Sequence, residues 1–257
     1  MSPVRVAISG ASGRMGLALL EAAAATEGVS LGAAVDLAAA TWGGVSIGTN
    51  VASALENSDV LVDFTRPEGT LANVRSCVAA KRGMVIGTTG FTPGQLAEIR
   101  TAAKKIPIVM APNMSVGINV AMKLVELAAR SLGDDYDVEV FEMHHRKKVD
   151  APSGTALKLG EVAGAARATT LDRDGVFERY GTTGERKAGT IGFSVARGGD
   201  VVGDHTVFFA GPGERIEITH RSSSRANYAQ GAMRAAKFVA GRKPGLYDMQ
   251  DVLGLRS

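Results

Sequence analysis

The sequence predicts an α/β protein in two parts, a parallel-sheet domain followed by a smaller α+β domain whose mixed sheet is largely antiparallel. Three observations carry this. Short apolar runs alternate with helical segments through residues 1–115, the pattern of parallel strands joined by crossover helices. A glycine-rich turn, Gly10-Ala11-Ser12-Gly13-Arg14-Met15-Gly16, directly follows the first of those runs. Beyond residue 190, three strand-like stretches are separated only by glycine turns, too short for crossovers, so they require antiparallel pairing. The first half is therefore expected to be Rossmann-like.

In order, strands are expected at Val4–Ser9, Val29–Val35, Val60–Phe64, Met84–Ile86 and Ile106–Met110, apolar runs that suit burial on both faces. Thr65-Arg66-Pro67-Glu68 and Thr92-Pro93-Gly94-Gln95 each place a hydroxyl three residues ahead of Glu or Gln, with proline in the first turn. Both read as capping boxes that open helices, which assigns Glu68 and Gln95 to capping rather than chemistry. Ser115 is placed to cap a long helix, Val116–Ser131, ended by Gly133. Asp137–His144 alternates like a half-buried strand, and Gly154–Ala166 is helical. Strands Thr190–Ala196, Val201–Ala210 and Arg215–His220 follow, joined by Arg197-Gly198-Gly199-Asp200 and Gly211-Pro212-Gly213. A last helix, Ala226–Ala240, and a short tail close the chain. The expected division is 1–115 with 226–257 as a dinucleotide-binding domain, and 116–225 as the second domain.

Composition excludes several function classes. With 257 residues there is material for a real core, and a net charge of only +3 with no block of five like charges gives nucleic-acid binding no support. No apolar run approaches the ~18 residues of a membrane span. The N-terminus enters a strand directly, so no signal peptide is expected. The single cysteine, Cys77, has no internal disulfide partner and lies in a helical run, which fits a buried apolar role in a reducing cytoplasm.

The glycine turn points to a dinucleotide. Glycines allow a tight turn and a close backbone approach to a pyrophosphate, and the helix that follows offers N–H groups and partial positive charge. The spacing is Gly-x-x-Gly-x-x-Gly rather than Gly-x-Gly-x-x-Gly, but Asp36 ends the second strand, 20 residues past Gly16, where an acid binds ribose hydroxyls. A carboxylate there repels a 2′-phosphate, and Leu37 beside it is no cation, which favours NADH over NADPH; Arg14 remains a candidate phosphate contact. Gly87-Thr88-Thr89-Gly90 and Ala111-Pro112-Asn113-Met114 follow the fourth and fifth strands, where such folds hold ligands.

The densest chemistry lies in Glu142-Met143-His144-His145-Arg146-Lys147-Lys148-Val149-Asp150-Ala151-Pro152-Ser153-Gly154-Thr155-Ala156. An imidazole that titrates near neutrality and a lysine four residues on suit an enzyme that protonates a small acidic substrate, each group worth on the order of 10²–10⁴-fold in rate. Gly154 and Thr155 open a helix and add an uncharged anion site. Arg225, just ahead of the last helix, is a candidate for a second carboxylate. No metal is expected, since adjacent strand residues His144 and His145 point to opposite faces and no thiolate partner exists. His205 and His220 fall in expected strands rather than in a ligand cluster.

With Phe64-Thr65-Arg66-Pro67-Glu68-Gly69-Thr70, Gly87-Thr88-Thr89-Gly90-Phe91, the Gly184–Phe193 segment and Gly203-Asp204-His205-Thr206, these motifs span nearly the whole chain. Together they resemble the 4-hydroxy-tetrahydrodipicolinate reductase (dihydrodipicolinate reductase) family. The resemblance implies NAD(P)H-dependent reduction of 4-hydroxy-tetrahydrodipicolinate to tetrahydrodipicolinate, in lysine and diaminopimelate biosynthesis. It implies His144 as general acid/base, Lys148 as proton donor, His145 at a substrate-contacting position, and the Gly154 and Thr155 amides on a substrate carboxylate. Cofactor positions fall on Gly10, Ala11, Ser12, Gly13, Arg14, Met15, Asp36, Arg66, Gly87, Thr88, Thr89, Ala111, Pro112, Asn113 and Met114. It also implies a homotetramer assembled through the second domain. The chain departs from the family in a shorter connection around Asp36–Ser58 and in Leu37, where relatives carry arginine. Two rivals stand beside this reading: another two-domain NAD(P)-dependent dehydrogenase of a small acidic substrate, which gives no reason for His144-x-x-x-Lys148 ahead of Ser-Gly-Thr, and an idle dinucleotide sensor, which gives none for keeping both proton donors.

Overall fold

The computed structural model describes residues 2–256. The chain forms two compact units: one takes in the chain up to Val116 and again from Arg225 onward, the other is Gly117–Ser224. Along the chain run β1 (Val4–Ser9), α1 (Arg14–Ala25), β2 (Val29–Val35), β3 (Ala40–Trp42), β4 (Val45–Gly48), α2 (Val51–Glu56) and β5 (Val60–Asp63). Next come α3 (Pro67–Ala80), β6 (Gly83–Ile86), α4 (Pro93–Ala103), β7 (Pro107–Met110) and α5 (Val116–Leu132). Then follow β8 (Asp137–His144), α6 (Gly154–Ala166), α7 (Leu171–Asp174), β9 (Gly175–Val176), β10 (Ile191–Arg197), β11 (Gly203–Gly211) and β12 (Glu214–Ser222). The chain closes with α8 (Ala226–Val239), β13 (Gly245–Tyr247) and α9 (Met249–Leu253).

The first unit holds an eight-stranded sheet in the order β13-β7-β6-β5-β1-β2-β4-β3, parallel except for the β3/β4 pair. Alternation along each strand covers both faces. Val6, Ile8, Val60, Val62, Val85 and Val109 pack with α1 and α8, whereas Ala7, Leu61, Met84, Ile86 and Ile108 pack with α2, α3 and α4. Each such buried Val, Leu or Ile contributes roughly 1.5–3 kcal/mol. Order reverses at β1, whose neighbours are β2 on one side and β5 on the other. The loops leaving β1 and β5 therefore diverge and open a crevice at the carboxyl ends of the strands.

The second unit holds a five-stranded sheet, β12-β11-β8-β10-β9. Its longest ladder, β11 with β12, is antiparallel, as is β11 with β8, while β8 and β10 run parallel. Val138, Val140, Ile191, Phe193, Val207 and Phe209 face α5 and α6 and form its core.

Two local expectations are corrected. Thr65 does not cap α3: its hydroxyl donates to Asp63 Oδ1 at 2.7 Å, and Arg66 is the N-cap with no side-chain bond. The box at Thr92 and Gln95 does form. Arg197-Gly198-Gly199-Asp200 does not close a hairpin, because β8 lies between β10 and β11 and pairs with both. The short C-terminal tail carries β13, which pairs with β7, and the region after Asp36 folds into β3, β4 and α2. Cys77 is fully buried in α3, and burial, with the Asp63 charge, pushes its thiol well up.

Candidate active site

In the first unit the expected cofactor residues gather at the carboxyl ends of the parallel strands. Gly10 turns the chain at φ +71°, a conformation that favours glycine. A Cβ on Gly16 would overlap the Gly10 carbonyl and Ala11, so only glycine lets α1 pack this close to the loop. The N-cap of α1 is Gly13, with no side-chain cap and no acidic residue in the first turn. Its leading N–H groups thus present positive potential to an anion, unlike those of α4, which Thr92 and Gln95 occupy. Ala11 is buried, Ser12 and Arg14 are exposed, and Met15 is half-buried.

Asp36 reaches back to this loop. Its Oδ2 accepts from the Ser12 N–H at 2.8 Å and its Oδ1 from the Leu37 N–H at 2.7 Å. Partial burial works to raise the Asp36 carboxyl, but those N–H bonds outweigh it and hold the group below the usual carboxylate range. Leu37 beside it is fully exposed.

A buried polar knot ties the remaining loops together. Asp63, at the end of β5, accepts on Oδ1 from the Thr65 N–H (2.8 Å), the Thr65 hydroxyl (2.7 Å), the Thr70 hydroxyl (3.2 Å) and the Thr88 hydroxyl (3.4 Å). Its Oδ2 accepts from Asn73 Nδ2 at 2.7 Å, and that amide also donates to Ser9 at 2.9 Å. This knot places Thr88 and exposed Arg66 on adjoining loops, with Thr89 exposed. At Gly87 a Cβ would overlap the Phe64 ring. Beyond β7, Ala111 and Met114 are buried, Pro112 is exposed, and Asn113 Oδ1 accepts from the Ser115 N–H at 3.0 Å. A Cβ on Gly231 would overlap the Met114 carbonyl, so α8 lies directly against that loop.

In the second unit the period-two face of β8 leaves the core and becomes polar. After Val138 and Val140 come Glu142 and His144, both buried. Neighbouring strands bring Arg197 and His205 to the same end. Glu142 Oε2 lies 2.5 Å from His144 Nδ1, and Arg197 grips both carboxylate oxygens at 2.8 and 2.9 Å. Burial depresses the His144 imidazole most, Glu142 acts to raise it, and the charges of Lys148 and Arg197 lower it; the net position is below an ordinary histidine. Lys148 donates to both Asp150 oxygens at 2.8 Å. His145 is half-buried, its carbonyl accepts the Lys148 N–H at 3.1 Å, and its Nδ1 is buried with no partner among the described residues.

The helix α6 starts at this cluster. The Ser153 hydroxyl caps the Ala156 N–H at 3.2 Å, while the Ser153 N–H donates to Glu142 Oε1 at 3.0 Å. Gly154 and Thr155 thus begin a helix anchored to the carboxylate that contacts His144. His205 Nε2 lies 3.0 Å from the same hydroxyl, and its ring stands edge-on to His144 at 5.1 Å. Arg225 is exposed and caps α8, which belongs to the first unit. Sequence reasoning names His144, Lys148, Gly154 and Thr155 but gives Arg197 and His205 no role; the alternation Val140, Glu142, His144 is the one signal that singles out Glu142.

An uncapped helix N-terminus at a sheet switch point in one unit, and a proton-donor cluster in the other, define by class a nicotinamide-dependent oxidoreductase. Family models described as "Dihydrodipicolinate reductase, N-terminus" and "Dihydrodipicolinate reductase, C-terminus" match residues 4–114 and 117–253. The chain is 57% identical over 265 residues to 4-hydroxy-tetrahydrodipicolinate reductase of Bordetella pertussis, covering 99% of this chain and 98% of that one. With the enzyme of the same name from Nitrosospira multiformis the identity is 54% over 268 residues, covering 100% of both. Among solved structures, dipicolinate-bound dihydrodipicolinate reductase from Paenisporosarcina sp. TG-14 superposes with a TM-score of 0.80 at 26% identity, covering 97% of this chain and 98% of that one. The chain belongs to the dihydrodipicolinate reductase family. Among the described residues no helix is long and apolar enough to cross a membrane.

Proposed function

We propose that this protein reduces 4-hydroxy-tetrahydrodipicolinate to tetrahydrodipicolinate with a nicotinamide dinucleotide, in lysine and diaminopimelate biosynthesis. The grouping of His144 and Lys148 at the N-terminus of α6 carries this reading, because it supplies proton donors and an anion site within one short segment. Net, the reaction adds a hydride and a proton and releases water. When bound, the dinucleotide supplies the hydride. The chain supplies the rest: the Gly154 and Thr155 amides bind a substrate carboxylate, and His145 contacts the substrate. Arg225 holds the second carboxylate. Lys148, released from Asp150 by the anionic substrate, protonates the reduced centre. His144 acts as acid/base, and the charge of a bound dianion raises it toward neutrality.

The first unit binds the dinucleotide through Gly10–Met15, Asp36, Arg66, Gly87–Thr89 and Ala111–Met114. The fit rests on the uncapped α1 start and on Gly16, where a Cβ would overlap the backbone of the loop. The charged Asp36 favours NADH over NADPH; its two oxygens keep lone pairs for ribose hydroxyls beyond the Ser12 and Leu37 bonds. The second unit binds substrate and assembles a homotetramer, and the enzyme works in the cytoplasm.

The test mixes aspartate semialdehyde, pyruvate and the synthase that condenses them, then follows NADH and NADPH oxidation separately by the loss of nicotinamide absorbance. Substrate-dependent oxidation is expected, faster with NADH; no oxidation of either cofactor rejects the assignment. Lys148→Ala and His144→Ala are each expected to lower kcat on the order of 10²–10⁴-fold while NADH still binds. Either variant near full turnover removes that residue from the mechanism.

A further inference from the structure

Four polar contacts hold the Glu142 carboxylate, yet none of the proton transfers or substrate contacts above involves it. It is 1% exposed. Its Oε1 accepts from the Ser153 N–H at 3.0 Å and Arg197 Nη2 at 2.9 Å; its Oε2 accepts from Arg197 Nη1 at 2.8 Å and faces His144 Nδ1 at 2.5 Å. Burial works to raise this carboxyl, but Arg197, His144 and the Ser153 N–H outweigh it and keep it below the usual range, so the group is an ionised acceptor. An ionised acceptor requires a proton on the ring nitrogen that faces it. Arg197 locks the carboxylate plane with two parallel bonds, and its Nη2 also donates to the Asp150 carbonyl at 2.7 Å, joining the Lys148–Asp150 loop to the same fork. The other ring nitrogen, His144 Nε2, lies beside Gly203, where a Cβ would come within 2.9 Å of it. Glycine at 203 therefore keeps that side of the ring open.

We propose that Glu142, clamped by Arg197, is a positioning residue that fixes His144 in the tautomer protonated on Nδ1 and so makes Nε2 the nitrogen that exchanges a proton with substrate. This rests on the reading of His144 as the acid/base group. The charged and titratable neighbours of His144 are Glu142 on its own strand, Arg197 from β10, Lys148 and Asp150 from the loop, and His205 from β11, with His220 of β12 paired to His205. Among these Glu142 directly raises the imidazole, whereas burial, Lys148 and Arg197 lower it. Loss of the carboxylate therefore drives the His144 titration to lower pH, whichever protonation state is the active one.

Two measurements decide it. In the intact enzyme labelled with 15N-histidine, two-dimensional NMR at neutral pH is expected to show the His144 proton on Nδ1; a proton on Nε2 overturns the proposal. This readout needs no variant and no turnover, so it stands apart from the identity of the substrate. For Glu142→Gln, the pH profile of kcat is expected to shift its His144 inflexion acid-ward by about one unit or more. Turnover should drop about tenfold or more at neutral pH, with KM changed far less. In the His144→Ala background the same change should cost nothing further in kcat. An inflexion that stays in place, or an undiminished second loss in the double variant, makes Glu142 a scaffold residue only. Should Glu142→Gln fail to fold, the tautomer in the native protein still decides between the two outcomes. A wild type that reduces no substrate, with the Nδ1 tautomer present, strikes the proposed function and leaves the geometry of the pair intact.

Discussion

Single side chains set two separate balances here. Asp36 stays charged because two backbone N–H groups favour its ionised form more than partial burial opposes it. A 2′-phosphate brought near it meets a like charge, with Leu37 offering no compensation. Asp36→Ala is therefore expected to weaken NADH binding about tenfold and to weaken NADPH less, or even to favour it, in fluorescence titrations. Equal losses for both cofactors would remove the ribose contact. His205 illustrates the opposite case. It is buried, its Nδ1 has no partner among the described residues, and burial, reinforced by the His144 charge, drops it to about 4. A histidine lowered in the fold destabilises the folded state once the unfolded chain takes up a proton. Its contribution is thus intact above about pH 6.5 and is lost as pH falls from there toward 4. A fall from 6.5 to about 4, at about 1.4 kcal/mol per unit, amounts to roughly 3.5 kcal/mol. His205→Gln, which keeps a polar partner for Ser153, should flatten the dependence of Tm on pH in that window; a parallel curve, merely displaced, would show that His205 does not titrate with unfolding.

Elements position the site by what their ends leave unsatisfied. The end of β5 buries Asp63 with no cation paired to it among the described residues, and five donors from the β5, α3 and β6 loops hold it instead. In Asp63→Asn the amide nitrogen faces either Asn73 or the threonine hydroxyls, donor against donor, at about 1–3 kcal/mol. NADH affinity is expected to fall about tenfold with a Tm loss of several degrees, and calorimetry with NADH titration checks both. Unaltered affinity would detach this knot from the cofactor loops. The same knot explains why the capping box expected at α3 does not form. Thr65 and Glu68 have box spacing, but Asp63 two residues upstream offers the hydroxyl a charged, buried acceptor, and it wins. Strands β1 and β8 are legible because β1 is an apolar run buried over its last four residues and β8 alternates strictly. The pieces β3, β4 and β13 are three or four residues long and take their strand character from neighbours, which leaves no local period to read. The place of β8 between β10 and β11 is likewise non-local, since a glycine turn permits a hairpin without requiring one. At the site, His144, Lys148, Gly154 and Thr155 are legible because they lie in one segment. Arg197 meets Glu142 across 55 residues and His205 meets Ser153 across 52, and neither carries a local motif.

At the scale of the whole molecule the open side of the second sheet has the most to explain. One face is covered by α5 and α6. The other presents Glu139, Phe141, Ser194 and Phe208 around a shallow depression. Phe141 is 36% exposed at the middle of that face, and Arg179 and Arg186 pair with Glu139 beside it, a mixed apolar and ion-paired surface of the kind that closed homo-oligomers bury. The strand β12 leaves one edge open along nine residues, and its outward Arg215 and Glu217 discourage uncontrolled edge pairing. The proposed homotetramer is expected to bury this face between copies. Sedimentation velocity at micromolar concentration should give a single tetrameric species for the native chain, and Phe141→Arg should split it into smaller species while leaving NADH binding by the other unit unchanged. A native chain that sediments as a monomer would mean the face stays in water, and its exposed phenylalanine would then need a different partner to account for it.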